Sequence, residues 1–397
     1  MPFFNDVALL PDDPILSLPS AFGADPRPNK VNLGIGAYRD AEGNPLVLNA
    51  VRKAETQILL KHCNKEYLPI EGDGEFLQCA LQILFGSDLP SLNPQTIFCA
   101  QTVGGSGALR IAAEFLASNL SKTIFISQPS WSNHKLIFER AGLTVGSYPY
   151  FNLKTHQLDF SGMCEAIKNM PPASIILLHG CCHNPTGVEP TIEQWKELSH
   201  LIKQQKILPL FDIAYQGFGK DLSLDAEPIR QFAKDGHEML VCYSFSKNFG
   251  LYGERLGFLT IINSLPEATA KIGSQIKFLV RGSYSTPPLH GARIVKTILK
   301  SRELTLEWQI ELKNMRERIN EMRTALVASL LTKGSQIDFS YINKQFGLFS
   351  FLELSTEQVM KLRHEKGIYM PVSGRVNIAG LNTQNLEYVV KSLLTVI

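Results

Sequence analysis

SFSKNFGLYGERLG, residues 244–257, places one lysine, Lys247, in a run of small and apolar residues, with Ser244 three positions before it and Arg255 eight after. An amine held beside a hydroxyl and a guanidinium suits a Schiff base to a phosphorylated aldehyde. The amine has to be partly desolvated to react, and the phosphate needs donors and positive charge. Gly250, Gly253 and Gly257 let backbone approach closely, as a buried phosphate or a tight turn requires. The competing reading is a surface lysine after a strand, which is what most lysines are.

The flanks of this segment are apolar on both faces: LVCYSF at 240–245 before it and LGFLTII at 256–262 after it. Further upstream, TIFIS at 123–127, SIILLHG at 174–180 and ILPLFDI at 207–213 have the same character. Strands apolar on both faces are covered on both faces, so the pattern predicts a largely parallel α/β sheet with helical crossovers. IEQWKELSHLIKQQ at 192–205 has the period of one such helix. Ligands of open α/β sheets gather at the carboxyl ends of the strands, and Lys247 follows one of those ends. After residue 300, Leu304, Trp308, Leu312, Met315, Ile319, Met322, Leu326 and Leu330 recur at steps of three and four, which predicts one long amphipathic helix. A mixed α+β segment follows. The expected organisation is an N-terminal arm over 1–11, a small α+β domain from 12–45 and 315–397, and a large cofactor-binding domain over 46–314.

Bulk properties exclude several classes. The 397 residues are 44% apolar and 19% charged, an ordinary globular composition. With 39 basic against 37 acidic residues, net charge +2, there is no electrostatic case for nucleic acid or an acidic membrane surface. Apolar runs are short and interrupted, so no transmembrane helix is expected. The N-terminus lacks early basic residues and does not read as a signal or transit peptide. Seven cysteines, Cys181 and Cys182 adjacent and the rest scattered, give no metal-ligand spacing; reduced thiols in the cytoplasm and no metal are expected.

Four further segments carry chemistry. QTVGGSGALRIAAEFL, 101–116, leads a glycine-rich turn into a helical run, whose free amides make an anion site at Gly104, Gly105 and Ser106. In FDIAYQGFG, 211–219, Asp212 ends an apolar strand and is either a turn residue or a charge aimed at a site. A carboxylate set against a heteroaromatic ring nitrogen keeps it protonated, and Tyr215 then lies within reach of the same ring. In HGCCHNPTG, 179–187, Asn184 is held by Pro185, and His179 and His183 read as supporting or core histidines. In PSWSNH, 129–134, Trp131 is either simple packing or a ring stacked on the cofactor, and His134 is placed to hydrogen-bond Asp212 from behind. Arg281 and Arg375, each flanked by small residues, are candidate bidentate clamps for two carboxylates.

From DDPILSL at 12–18 through VNLGIGAYRD, EYLPIEG, GGSGALR, PSWSNH, HNPTG, DIAYQGFG, SFSKNFGLYGERLG, YSTPP and GLFSF to SGRVNIAGL, the chain resembles the class I pyridoxal-phosphate aminotransferases of the aspartate and aromatic branch, in the expected order over essentially its whole length. The resemblance implies a fold type I pyridoxal-phosphate-dependent transferase, with pyridoxal 5'-phosphate as cofactor and amino acids and 2-oxo acids as substrates. The expected reaction moves the amino group of aspartate, and of aromatic amino acids, to 2-oxoglutarate by a ping-pong route. The alternatives are a mainly aromatic aminotransferase, a lyase on the same scaffold, or a non-catalytic cofactor-binding domain.

By the same resemblance, Lys247 is the Schiff-base lysine and proton carrier. Asp212 pairs with the ring nitrogen, Tyr215 and Asn184 with the phenolic oxygen, and Trp131 with the ring face. Gly105, Ser106, Ser244 and Arg255 hold the phosphate. Arg375 takes the substrate α-carboxylate, and Gly36, with Trp131 and Asn184, lines the substrate pocket. A homodimer is implied in which Tyr67 reaches the phosphate, and Arg281 and Ser285 the substrate, from the neighbouring subunit. Two positions depart from common relatives: Gly104 where some carry serine, and Thr286 where asparagine is common.

Overall fold

Residues that alternate along a strand point to opposite faces, and here both sets are apolar. Leu177, Leu210, Leu240, Cys242 and Leu259 enter one core, while their neighbours Leu178, Phe211, Val241, Tyr243 and Phe258 enter another. The two cores lie on the two faces of one seven-stranded sheet. The computed structural model describes residues 2–397, and of Ser87 and Pro90 the backbone alone.

In chain order the strands are β1 (Ile97–Val103), β2 (Thr123–Gln128), β3 (Thr144–Pro149), β4 (Ile175–His179), β5 (Leu208–Ile213), β6 (Met239–Ser244) and β7 (Leu256–Ile262), arranged β1-β7-β6-β5-β4-β2-β3. β3, β2, β4, β5 and β6 pair in parallel. β7 runs antiparallel to both its neighbours, β1 and β6. The sheet is thus mixed and mostly parallel, and β7, although apolar on both faces like the others, is its one reversed strand. That reversal matters for the site. The carboxyl ends of the other strands and the amino end of β7 share one edge, so Arg255, just before β7, lies on the same edge as Ser244 at the end of β6.

β1 and β3 are not legible as apolar runs. β1 buries Gln101 and Thr102 completely, and Gln101 Nε2 offsets that cost by donating to Pro288 O at 2.6 Å. β3 is an edge strand that leaves half its residues in contact with solvent. Helix Gly104–Asn119 packs Ala108, Leu109, Ile111 and Ala112 into one core. Helix Ile192–Gln204 starts at a capping box between Thr191 and Gln194 and packs Trp195, Leu198 and Ile202 into the other.

The long helix spans Arg302–Thr332. Its buried positions follow the expected stripe with one exception: Arg323 is buried at the step where Met322 was expected, because position 323, four after Ile319, faces inward. Its guanidinium donates to Gly347 O at 2.5 Å and Asn320 Oδ1 at 2.8 Å. Higher up the same helix, Trp308 stacks on Phe249 with ring centroids 4.3 Å apart and donates from Nε1 to Asn248 O at 2.7 Å. The segment that carries Lys247 is therefore buttressed from below. The N-terminal segment joins the C-terminal part: Val31–Asn32 pairs in parallel with Ile368–Tyr369, and Asn377 N donates to Leu33 O at 2.8 Å.

Candidate active site

The carboxyl edge of the sheet opens into a cavity of about 590 Å³, lined among others by Gly36, Gly105, Ser106, Trp131, Asn184, Asp212, Tyr215, Ser244, Lys247, Arg255 and Arg375. Eleven expected residues from separate stretches of chain converge there. Lys247 is mostly buried, and its Nζ stands 5.1 Å from the Tyr215 ring centre with no hydrogen bond among the described residues. Burial, joined by the charges of Arg255 and Arg375 and opposed by Asp212, brings its pKa down to about 8. An amine of that kind has a substantial neutral, nucleophilic fraction near neutrality.

Asp212 sits at the end of β5 and pairs in register with His179 of β4. Burial acts to raise its carboxyl, but the His134 hydrogen bond, the nearby imidazoles of His134 and His179 and the Lys247 amine outweigh it, and the carboxyl is held below its usual value. The bond to His134 uses Oδ2, and Oδ1 has no partner among the described residues. Asn184 accepts from Arg375 Nη1 on Oδ1 at 3.2 Å, and its Nδ2 has no acceptor among the described residues. Tyr215, 7% exposed, has a hydroxyl with no partner among the described residues, and burial raises its pKa. Two donors and one carboxylate oxygen thus stand uncommitted around the lysine.

At the other end of the cavity, helix Gly104–Asn119 begins without a side-chain cap, so its first amides are available to an anion. Gly104 has φ +69, and a Cβ there would lie 2.5 Å from Arg255 Nη2. The left-handed backbone favours glycine over serine at this position, whereas the guanidinium is the far end of a flexible side chain. Arg255, itself left-handed at φ 53, donates to Ser246 Oγ at 3.3 Å and Tyr252 O at 3.1 Å. Ser246, Tyr252 and Ser130 were not singled out from the sequence. Ser246 was within reach of sequence reasoning as the second serine of the Ser-Phe-Ser run before Lys247.

Arg375 is 4% exposed and has no carboxylate partner among the described residues. It donates to Gly34 O at 2.7 Å, its Nε is buried without a partner, and the Phe349 ring lies 4.1 Å beneath it. Burial lowers its pKa to about 10, so it stays charged at neutrality. A buried cation with an orphan N–H is costly unless an anion completes it. Gly36 faces Phe349 so closely that a Cβ would lie 3.0 Å from its ring.

Three expected residues are not brought to this cavity. Tyr67 is 88% exposed. Arg281 is exposed at the end of helix Pro266–Ser283, and its guanidinium bonds the hydroxyl of Ser285. None of the three lines the cavity.

The sequence profile of the family described as aminotransferase class I and II matches residues 28–393. The aspartate aminotransferase of Escherichia coli (strain K12) is 46% identical over 395 residues, covering 99% of this chain and 100% of that one. The aromatic-amino-acid aminotransferase of Burkholderia pseudomallei, solved covalently bound to pyridoxal phosphate, superposes with a TM-score of 0.95 at 43% identity over 100% of both chains. The cytoplasmic aspartate aminotransferase of Saccharomyces cerevisiae gives 0.96 at 39% identity, covering 99% of this chain and 98% of that one.

Proposed function

The chain belongs to the class I and II aminotransferases, and from that premise we propose that it moves the amino group of aspartate to 2-oxoglutarate with pyridoxal phosphate as its cofactor. The residues present fit that group. The uncapped helix start at Gly105 and Ser106, with Ser244 and Arg255, suits a phosphate. Asp212 Oδ1 suits a ring nitrogen, and the free Tyr215 hydroxyl and Asn184 Nδ2 suit a phenolic oxygen. When bound, pyridoxal phosphate supplies an aldehyde that takes up amines and a ring that draws electrons from the carbon beside the amine.

Everything else is supplied by the chain. The Lys247 amine, once released, holds and moves the proton at the substrate α-carbon. Arg375 orients the α-carboxylate through paired N–H donors. Trp131 would cover the ring face, and Asp212 would keep the ring nitrogen protonated. The observation that carries the reading is the free amine of Lys247 in one cavity with two guanidiniums that have no carboxylate partner among the described residues.

Aromatic amino acids are the second reading, favoured by the apolar lining from Ile15, Leu16, Ile35 and Leu109. We infer a homodimer that shares its sites. The supporting features are Tyr67, Arg281 and Ser285 outside their own cavity and an N-terminal segment with Phe3 97% and Leu9 99% exposed. Among the described residues, no helix is long and apolar enough to cross a membrane. The seven free thiols support a reducing compartment, which we take to be the cytoplasm.

The test is sequential addition to purified holoenzyme. L-aspartate should abolish the cofactor's visible band and 2-oxoglutarate should restore it. Repeating with L-phenylalanine ranks the two donors. A band that no donor converts would end the aminotransferase reading. For the dimer, mixing inactive Lys247→Ala and Arg281→Ala chains should regenerate part of the activity; mixtures as inactive as their parents would argue against shared sites.

A further inference from the structure

Beneath Tyr215, three buried ligand-type side chains converge: Cys181, Cys182 and Asp225, with 5%, 2% and 4% exposure. The two Sγ atoms and a carboxylate oxygen all lie within 4.8 Å of one another. Adjacent residues of an extended chain point apart. Here Cys182 has a left-handed backbone, φ 53, and the two thiols turn to the same side. The carboxylate arrives from 43 residues further along the chain (225 − 182), which is why no ligand spacing is visible in the sequence.

We propose that Cys181, Cys182 and Asp225 bind one soft divalent cation of the zinc–cadmium class, and that occupation of this site displaces Tyr215 and Asn184 and stops turnover. Two thiolates and a carboxylate are ligands such cations accept, and three protein ligands leave a fourth position for water. Cys181 lines the main cavity, which provides the entry path. Coordination takes one proton from each thiol: two S–H bonds break, two S–metal bonds form, and two protons leave.

The link to turnover is geometric. Asp225 holds the loop after Tyr215 by accepting from Gly217 N at 2.8 Å, Gly219 N at 2.9 Å and Lys220 N at 2.7 Å. The Cys182 thiol lies 3.8 Å from Tyr215 O, and Asn184 follows two residues after Cys182. A cation that draws the carboxylate and both sulfurs inward pulls on both partners of the phenolic oxygen.

The experiment uses holoenzyme carrying Cys63→Ser and Cys79→Ser, which removes the exposed thiol of the loop after helix Asn49–Leu60 and a half-buried thiol of helix Gly74–Phe85. Titration with Cd²⁺ alone should give an ultraviolet sulfur-to-cadmium band that saturates at one equivalent, with two protons released and turnover falling in parallel. Adding Cys181→Ser or Cys182→Ser should abolish the band, and Asp225→Asn should weaken binding about tenfold. A band that survives both cysteine changes, or no saturable band, overturns the proposal. If a cysteine variant does not fold, the cadmium-113 resonance of the parent decides. A shift typical of two sulfur ligands supports the site, and one typical of oxygen and nitrogen ligands alone rejects it.

Discussion

His134 Nε2 lies 2.9 Å from Asp212 Oδ2, and the histidine is completely buried behind the carboxylate. The proton arrangement follows from one donor that has no choice. Asn184 N–H donates to His179 Nδ1 at 3.2 Å. Burial, with His134 nearby, lowers the pKa of His179 to about 3, so the ring is neutral and its proton sits on Nε2. That proton points to Ser130 Oγ at 3.4 Å, and the Ser130 hydroxyl in turn lies 2.9 Å from His134 Nδ1. His134 therefore carries its proton on Nε2 and donates it to Asp212.

Ser130→Ala removes the hydroxyl that fixes this tautomer. We expect kcat/KM to fall about tenfold, the worth of roughly one hydrogen bond, and the pH at which the bound cofactor changes its absorbance to move. Ser130→Thr should restore both. An unchanged spectroscopic titration in Ser130→Ala would show that the hydroxyl only fills space.

Arg375→Lys keeps the charge but loses the planar fork. Lysine at this position cannot donate to Gly34 O, Asn184 Oδ1 and a carboxylate together, as the guanidinium is placed to do. A fall in kcat/KM of roughly 100-fold, about 2.7 kcal/mol, is expected from steady-state kinetics, with most of it in KM. Equal affinity for a substrate-like carboxylate in both proteins would remove Arg375 from the binding role.

Much of this site was readable because its residues follow short apolar strands whose ends share one edge of the sheet. Lys247, Asp212 and Asn184 have that signature, Arg255 comes just before an apolar strand, and the place of His134 behind Asp212 followed from its own segment. What escaped was set by tertiary contact. The reversed direction of β7 leaves no mark on a run such as LGFLTII, which is apolar on both faces either way. β1 hid because its buried Gln101 is satisfied by a partner 187 positions away. Arg323 took a stripe position from Met322 because a guanidinium finds a carbonyl at Gly347 that a sequence pattern cannot anticipate.

Lys247 gives a pH dependence with a defined sign. Its folded pKa, about 8, lies below the ordinary lysine value of 10.5. Below about 8 both folded and unfolded chains hold the proton, and the cofactor-free protein bears the full cost of a buried charge. Between about 8 and 10.5 the unfolded chain binds one more proton than the folded one, so this group adds stability as pH rises. Denaturant midpoints of cofactor-free protein should show that increment over this window and lose it in Lys247→Met. The rate of cofactor uptake should rise through the same lower value, because only the neutral amine attacks an aldehyde. A flat uptake rate from pH 7 to 9 would contradict the depressed pKa.

Gly257 brings the strand that ends at Ser244 against the helix start at Gly104. It pairs with Ser244 on one side and Thr102 on the other. A Cβ there would lie 2.5 Å from Tyr243 O and 2.6 Å from the Gly104 carbonyl carbon. Both obstacles are backbone, so no side-chain rotation relieves the clash, and the strands themselves have to separate. Gly257→Ala is therefore expected to cost about 1–3 kcal/mol or more and to push Gly104 away from Arg255. Thermal denaturation of the cofactor-free protein measures the first effect. Equilibrium dialysis against pyridoxal phosphate measures the second, where affinity should fall by more than it does for Gly291→Ala, whose Cβ would meet only side chains at 3.2 Å or beyond. Equal affinities in the two variants would mean that the approach of β7 to Gly104 does not shape the phosphate end.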